Sequence, residues 1–402
     1  MILHLLRSKL IPIALLLLIF ATTVNSLQYT APTYDEHEYL SRGYLYLQTG
    51  NTDLKLRHPI LLDLLAACPL YLLPNVTLIP DDPAIAAGNF HLYAARFAWE
   101  ANGHLLTPIF FLSRLPAITL LLLLLSTIYS WAKNRFGPIP AAIALTLAAF
   151  DPNLLAHGRL ITPDVGQTTF IFLATYSWWR YWQRPDYGRL LLAGLTIGLA
   201  QTAGYPALIL YPLLFFASLV LIWSTHRNWR ALFSRWLVDY SVMTLLSAFT
   251  IWVVYSFTWG PVSLFGWTLS LPAPYYFEEF FDLLTRLGRS DIAYLNGEIY
   301  RGGRGEFFII SLFIKTPLPL LALASLGIYR FFQQQTIIQD IALWLIPLFY
   351  YATALNSSLN IGYRHIIPIL PFLCLWGGST MTLAPLKKRG GRWATAVLLS
   401  WL

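Results

Sequence analysis

Apolar residues run along this chain in long blocks, not in single helical stripes or an every-other alternation. Windows of about 20 residues, the length that crosses a hydrocarbon core as a helix, pick out ten blocks. They lie near residues 10–27, 110–131, 138–156, 165–182, 189–203, 205–223, 238–259, 307–330, 340–355 and 365–385. A helix that is apolar all round needs lipid or other helices around it. The pattern therefore predicts an all-α integral membrane protein with about 10–11 transmembrane helices. Arg7 and Lys9 ahead of the first Ile/Leu run give it the look of a signal peptide. No small-x-small cleavage site follows and many spans do, so it reads as an uncleaved first helix. The apolar run 393–402 is too short to span and reads as the beginning of a further helix. Two long segments, 28–109 and 260–306, separate the blocks. Within the first, the apolar stretches 60–73 and 90–99 read as amphipathic helices lying along the interface.

Composition agrees. Hydrophobic residues make up 57% of the 402 and charged residues 11%, with a mean hydropathy of +0.57, against roughly 25% charged in a soluble domain. That excludes a soluble globule and a disordered chain. Cys68 and Cys374 both sit in apolar runs, so neither a disulfide framework nor a cysteine metal site is indicated. The net charge of +8 changes meaning once it is divided by side. With the N-terminus inside, 15 of the 27 basic residues and 3 of the 19 acidic ones fall on the inner face, leaving +12 there and −4 outside. The inner excess of Lys and Arg is the bias that orients membrane proteins. The basic balance thus reflects topology, and nucleic acid is not an expected partner.

The outer side carries the candidate chemistry. Tyr34-Asp35-Glu36-His37-Glu38-Tyr39 places three carboxylates within four positions just after the first span. Asp35 can cap a helix start. A carboxylate partly withdrawn from water at the membrane surface can also serve as a general base, because desolvation raises its pKa. Arg57 and His58 precede Pro59, itself suited to the first turn of a helix. Arg114 lies at the outer end of the second span, where an Arg is costly unless it snorkels or binds an anion. Residues 151–164 join two spans with Asp151, Asn153, His157, Arg159 and Asp164, dense for a simple reversal. Lys315 stands about nine residues inside an apolar block, and Asn360–His365 leads into the last one. Arg57, Arg114, Arg159, Lys315 and Arg364 therefore share one membrane level with carboxylates. Phosphate at headgroup depth is the natural partner for such donors. A base beside a phosphate clamp points to a lipid phosphate as leaving group. His58, Asp151, His157, Asp164 and Tyr363 complete the candidate substrate pocket. Asp35, Glu36, His37, Glu38, His58 and Asp164 could offer ligands to a divalent ion. Their spacing fixes no metal site, so no cofactor is assigned and a divalent ion stays open.

These residues resemble the phospholipid-carrier-dependent glycosyltransferases of family 39 type, which include protein O-mannosyltransferases and lipid A aminoarabinose transferases. The resemblance rests on Asp35-Glu36, His58-Pro59, Arg114-Leu115-Pro116, DPNLLAHGRLITPD at 151–164, YLNGE at 294–298, FIKTPLPLL at 313–321 and NIGYRHIIPILPFL at 360–373, in the family's order. It implies a GT-C fold in a single transmembrane domain, 1–402, whose outer loops 28–109 and 260–306 form the active-site face. It further implies a polyprenyl-phosphate sugar donor, inversion at the anomeric carbon, and Asp35 as catalytic base beside Glu36. Arg114 is the counterpart of the family's essential arginine, and Asp164 of its later cavity-facing acid. The acceptor would be a hydroxyl on protein, lipid or glycan, and a bacterial inner (plasma) membrane is the expected location. Many relatives carry a Lys-Tyr pair where this chain has Gly204-Tyr205, so one phosphate contact is missing or supplied elsewhere. The 260–306 segment is too short for the soluble insertion of eukaryotic-type O-mannosyltransferases. The rival class is a transporter or flippase of polyprenyl lipids, which would show matching interrupted helices in two halves; no such halves are evident.

The charge division is checked by labelling. In a background lacking Cys68 and Cys374, single cysteines placed in 28–109 and 260–306 are expected to react with an impermeant thiol reagent added outside. Cysteines at 183–187 are expected to stay protected until the membrane is opened. Labelling of both sets from one side contradicts the topology.

Overall fold

The computed structural model describes residues 10–224, 229–264, 266–286, 292–334, 337–383 and 396–401. Arg7, Lys9, Arg227, Lys387, Lys388, Arg389 and Arg392 of the inner charge set lie outside the described residues. The helices are α1 (Leu10–Ser26), α2 (Glu36–Thr49), α3 (Leu61–Ala67), α4 (Pro83–Ala86), α5 (Phe90–Ala95), α6 (Leu106–Phe136), α7 (Pro138–Ala149) and α8 (Pro152–His157). They continue with α9 (Pro163–Gln183), α10 (Tyr187–Ala203), α11 (Leu210–Ser224), α12 (Trp229–Val254), α13 (Pro274–Arg286), α14 (Glu306–Lys315), α15 (Leu318–Gln334), α16 (Ile341–Leu355) and α17 (Leu370–Ser379).

Every apolar block of the sequence is helical, and the protein is a helical integral membrane protein with several spans. Among the described residues, five helical stretches are long and apolar enough to cross a membrane on their own: Leu10–Tyr29, Gly103–Phe136, Tyr205–Ser224, Trp229–Val254 and Tyr363–Thr382. The block at 307–330 is not straight. It is α14 and α15, meeting at 112°. Thr316 is extended ahead of Pro317, as the residue before a proline must be, and Pro319 follows one residue into α15. Proline also ends the block at 138–156 early: α7 stops at Ala149, and Asp151-Pro152 starts a separate short helix, α8.

The core is sealed by rings from three helices. Trp131 of α6 lies 5.1 Å from Phe172 of α9 and 6.0 Å from Phe372 of α17, and the two phenylalanines are 5.0 Å apart. The first long segment, 28–109, folds as α2 to α5 around its own buried cluster, including Leu40, Leu45, Leu70, Tyr93 and Phe97. Here α2 and α3 nearly touch: a methyl group on Gly43 would sit 2.2 Å from the Asp63 carbonyl oxygen. The second long segment, 260–306, holds two structures absent from the all-helical expectation. They are the antiparallel hairpins β1 (Trp259–Leu264) with β2 (Trp267–Pro272), and β3 (Ile292–Leu295) with β4 (Glu298–Arg301), on either side of α13.

α15 and α17 approach just as closely at Gly327, where an added methyl group would lie 2.0 Å from the Trp376 carbonyl oxygen. Gly327→Leu is therefore expected to lower the thermal unfolding temperature in detergent. Gly103→Ala, at a position open on all sides, should leave it near wild type. Equal melting of both variants contradicts this packing.

Candidate active site

The site is built where α2 begins. Glu36, fully buried, meets Arg114, 1% exposed, eight residues into α6. The contact is two-pronged: Arg114 Nε donates to Glu36 Oε1 at 2.8 Å and Nη2 to Oε2 at 2.7 Å. Arg114 Nη1 donates to the Thr30 carbonyl at 2.9 Å and to Thr30 Oγ1 at 3.1 Å, and Nη2 also donates to the Ala31 carbonyl at 3.0 Å. All five guanidinium N–H groups are thereby used. Glu36 in turn accepts from the Thr33 amide at 2.7 Å and the Ile161 amide at 3.0 Å. Burial alone would raise the Glu36 pKa, but the Arg114 hydrogen bonds and charge, with the two amides, outweigh it and hold the carboxyl below its ordinary 4.5.

This geometry corrects two expectations. Arg114 has no donor left for a phosphate, and Glu36 has no accessible oxygen for a substrate. The pair holds three motifs together instead: the 33–38 acids, the N-terminal part of α6 and the 157–164 turn.

Asp35, one residue away, faces elsewhere. Its side chain makes no helix cap, is 29% exposed, and accepts from Arg364 Nη1 at 2.7 Å. Arg364, on the 3-10 turn Tyr363–Ile369, is flanked by Asp35 and Asp164. Asp164, in the first turn of α9, lies 3.6 Å from His157 Nδ1 at the end of α8. Lys315 closes α14 at the elbow; its carbonyl accepts from Asn153 at 2.9 Å, and its neighbour Thr316 shares a 2.7 Å hydrogen bond with buried Tyr363. The strings 151–164, 313–321 and 360–373 therefore meet in space. Among the described residues, neither Lys315 nor Arg159 has an acidic partner, so both cations are available to a ligand.

Other candidates serve the framework. Asp151 is fully buried and caps α8, accepting the Asn153 and Leu154 amides at 2.9 Å, so it cannot touch a substrate. Arg57 is tied to Asp282 of α13 at 2.9 Å. His58 lies 3.1 Å from both Asp63 and Arg42. That last contact leads to a cluster that the sequence reading missed. Buried Arg42 of α2 binds Asp63 of α3 at 2.5 Å and Glu279 of α13 at 2.8 Å. With Lys55–Glu278 and Arg57–Asp282 it clamps α13, from the second outer segment, onto the first. The signal was present as single charges, Arg42 and Asp63, inside otherwise apolar helix faces.

A second flank of the acids is aromatic. Tyr34 and Trp99 both approach the His37 ring, and Glu38 contacts His91. Among the described residues, no group of three His, Cys, Asp or Glu side chains is arranged to hold a metal ion.

Comparison with known proteins follows this geometry. The chain aligns along 97% of its length with ArnT from Cupriavidus metallidurans bound to undecaprenyl phosphate, at TM-score 0.62 and 14% identity. The apo form of that protein gives TM-score 0.60 at 15% identity, again over 97% of this chain and 62% of ArnT. The archaeal oligosaccharyltransferase AglB from Archaeoglobus fulgidus, in complex with an inhibitory peptide and a dolichol-phosphate, aligns along 96% of this chain at TM-score 0.57 and 12% identity. This chain has the GT-C fold. Residues 93–253 match the family described as dolichyl-phosphate-mannose-protein mannosyltransferase. The resemblance to carrier-dependent glycosyltransferases of family 39 type is thus found in sequence over residues 93–253, and the fold is shared along nearly the whole chain. The GT-C chain described here spans 63% of the length of undecaprenyl-phosphate-bound ArnT and 52% of AglB. A sequence search of curated proteins finds no match. Gly204 lies against Gln167, whose Oε1 would be 2.1 Å from an added Cβ.

Removing one member of a buried pair strands the other charge, at about 3–5 kcal/mol. Arg114→Ala is expected to lower thermal stability sharply, and Asp35→Asn hardly at all. Because the Glu36 pKa is depressed in the folded state, its contribution is present above the unfolded value and lost as pH falls through the folded one. Stability should therefore drop below about pH 4.5, and Glu36→Gln should flatten that acid-side slope. A variant at 114 as stable as wild type contradicts the pair's structural role.

Proposed function

We propose that this protein is an inverting glycosyltransferase that moves a sugar from a polyprenyl-phosphate carrier to an acceptor hydroxyl, on the membrane face opposite the Lys/Arg-rich loops. The observation that carries this reading is the pairing of two adjacent carboxylates with opposite fates. Glu36 is locked by Arg114, while Asp35 stays partly exposed on Arg364, which also faces Asp164.

In this reading Asp35 takes the proton as the acceptor oxygen attacks the anomeric carbon. The bond between that carbon and the phosphate oxygen breaks on the opposite face, and the polyprenyl phosphate leaves with the bonding pair. Arg364, Lys315 and Arg159 offset its charge, the term on which transfer of an anionic leaving group depends. Arg364 also holds the Asp35 side chain in place before the donor arrives, and pairing with the phosphate would release Asp35 to act as base. Asp164 and His157 complete the pocket, with Tyr363 behind them holding the elbow. An apolar cavity of about 540 Å³ between α14, α15, α16 and α17 supports a lipid donor. Its wall includes Leu312, one turn before Lys315, so an isoprenoid tail lying there would bring its phosphate to the cations.

The test separates base from clamp. Asp35→Asn keeps the shape but cannot take the proton. Turnover should fall by roughly 10²–10⁴-fold, the size of a general-base contribution, with donor affinity at or above wild type, since Arg364 is freed for the phosphate. Lys315→Ala should instead weaken donor binding. Purified protein, a polyprenyl-phosphate sugar and a measurement of both turnover and donor affinity decide it. Near-normal turnover of Asp35→Asn removes the base assignment.

A further inference from the structure

The end of the bundle remote from Asp35 holds a second polar cavity. α9 carries Asp164 of the candidate site in its first turn and ends at Gln183, about 30 Å away at 1.5 Å per residue. There, five helices enclose a space of about 470 Å³, within the 300–1,000 Å³ range of ligand sites. α6 contributes Arg135, α9 contributes Arg180 and Trp182, and α10 contributes Arg189. Leu221 of α11 and Ile341 of α16 give the remaining wall an apolar character.

The charges are one-sided. None of the described residues lining the cavity is acidic. Arg135 is held by Asp340, buried just beyond the wall, and Arg189 by Asp186 and two carbonyls. Arg180 differs: among the described residues it has no carboxylate partner, and its guanidinium lies 5.8 Å from the Tyr176 ring. A solvated orientation signal would need Arg side chains on loops. Here they stand between helix ends, around a cavity half walled by Trp and aliphatic side chains. Basic pockets between transmembrane helices suit phosphate-bearing lipid headgroups, and guanidinium groups suit phosphate in particular.

We propose that this cavity binds the headgroup of an anionic membrane phospholipid, with Arg180 as the principal phosphate donor and Arg189 beside it. The site is separate from the glycosyl-transfer chemistry and would hold its lipid whether or not a sugar donor is bound.

Native mass spectrometry of the full-length protein released from detergent tests it, after incubation with phosphatidylglycerol, phosphatidylcholine or glycerol 3-phosphate. Wild type is expected to retain phosphatidylglycerol roughly fivefold over phosphatidylcholine, the factor one basic residue supplies near an anionic lipid. Arg180→Gln and Arg189→Gln should each reduce that retention several-fold without changing the lipid-free melting temperature. If Arg180→Gln fails to fold, Arg189→Gln carries the test. Equal retention by wild type and the variants overturns the proposal. So does stabilisation by glycerol 3-phosphate equal to that by the lipid, which would make the ligand a soluble phosphate.

Discussion

The buried Glu36–Arg114 pair is the interaction on which the candidate site depends. A charge pair out of water is costly unless geometry and further hydrogen bonds repay the desolvation. Here both partners are fully satisfied: five N–H groups of the arginine and both oxygens of the glutamate have defined partners. Those partners come from the segment leaving α1, from α6 and from the turn before α9. One pair therefore fixes the angle at which α2 starts, and with it the direction of Asp35. Moving the start of α2 by one residue would rotate its side chains by about 100° and bury the wrong carboxylate.

Two adjacent carboxylates in opposite environments can hold different roles at one pH. Glu36 stays ionised because its arginine cannot leave. Asp35 has an arginine too, but Arg364 is partly exposed and shares its charge with Asp164, so that partner can be exchanged for a ligand anion. The α14–α15 elbow is tied to the turn that carries Arg364 by the Thr316–Tyr363 hydrogen bond, and Leu312, one turn before it, lines the apolar cavity. The backbone bend, set by Thr316-Pro317, is thus as much a part of the proposed donor site as the charges.

Much of this was legible in the sequence, because lipid imposes a simple rule on apolar length. The span blocks all proved helical, and the motif strings at 151–164, 313–321 and 360–373 proved to be neighbours. What stayed hidden was the pairing. A sequence shows that Arg114 in an apolar helix needs an anion; it does not show whether that anion is a substrate phosphate or Glu36. The same ambiguity misplaced Asp151, a helix cap, and Arg57, a tie to Asp282. Arg42, Asp63 and Glu279 were passed over because each looked like a lone charge until α13 folded back onto α2. The hairpins flanking α13 carry no long periodic signal, since strands of four to six residues scarcely register beside 20-residue apolar blocks.

The central claim is that chemistry, not transport, happens at Asp35. The most direct measurement follows the fate of the donor when purified protein in lipid vesicles receives polyprenyl-phosphate sugars and acceptors. Mass spectrometry is expected to find free polyprenyl phosphate released in step with glycosylated acceptor, and NMR of the product to show the opposite anomeric configuration from the donor. Intact donor that merely crosses the bilayer, or a product of retained configuration, would contradict the account.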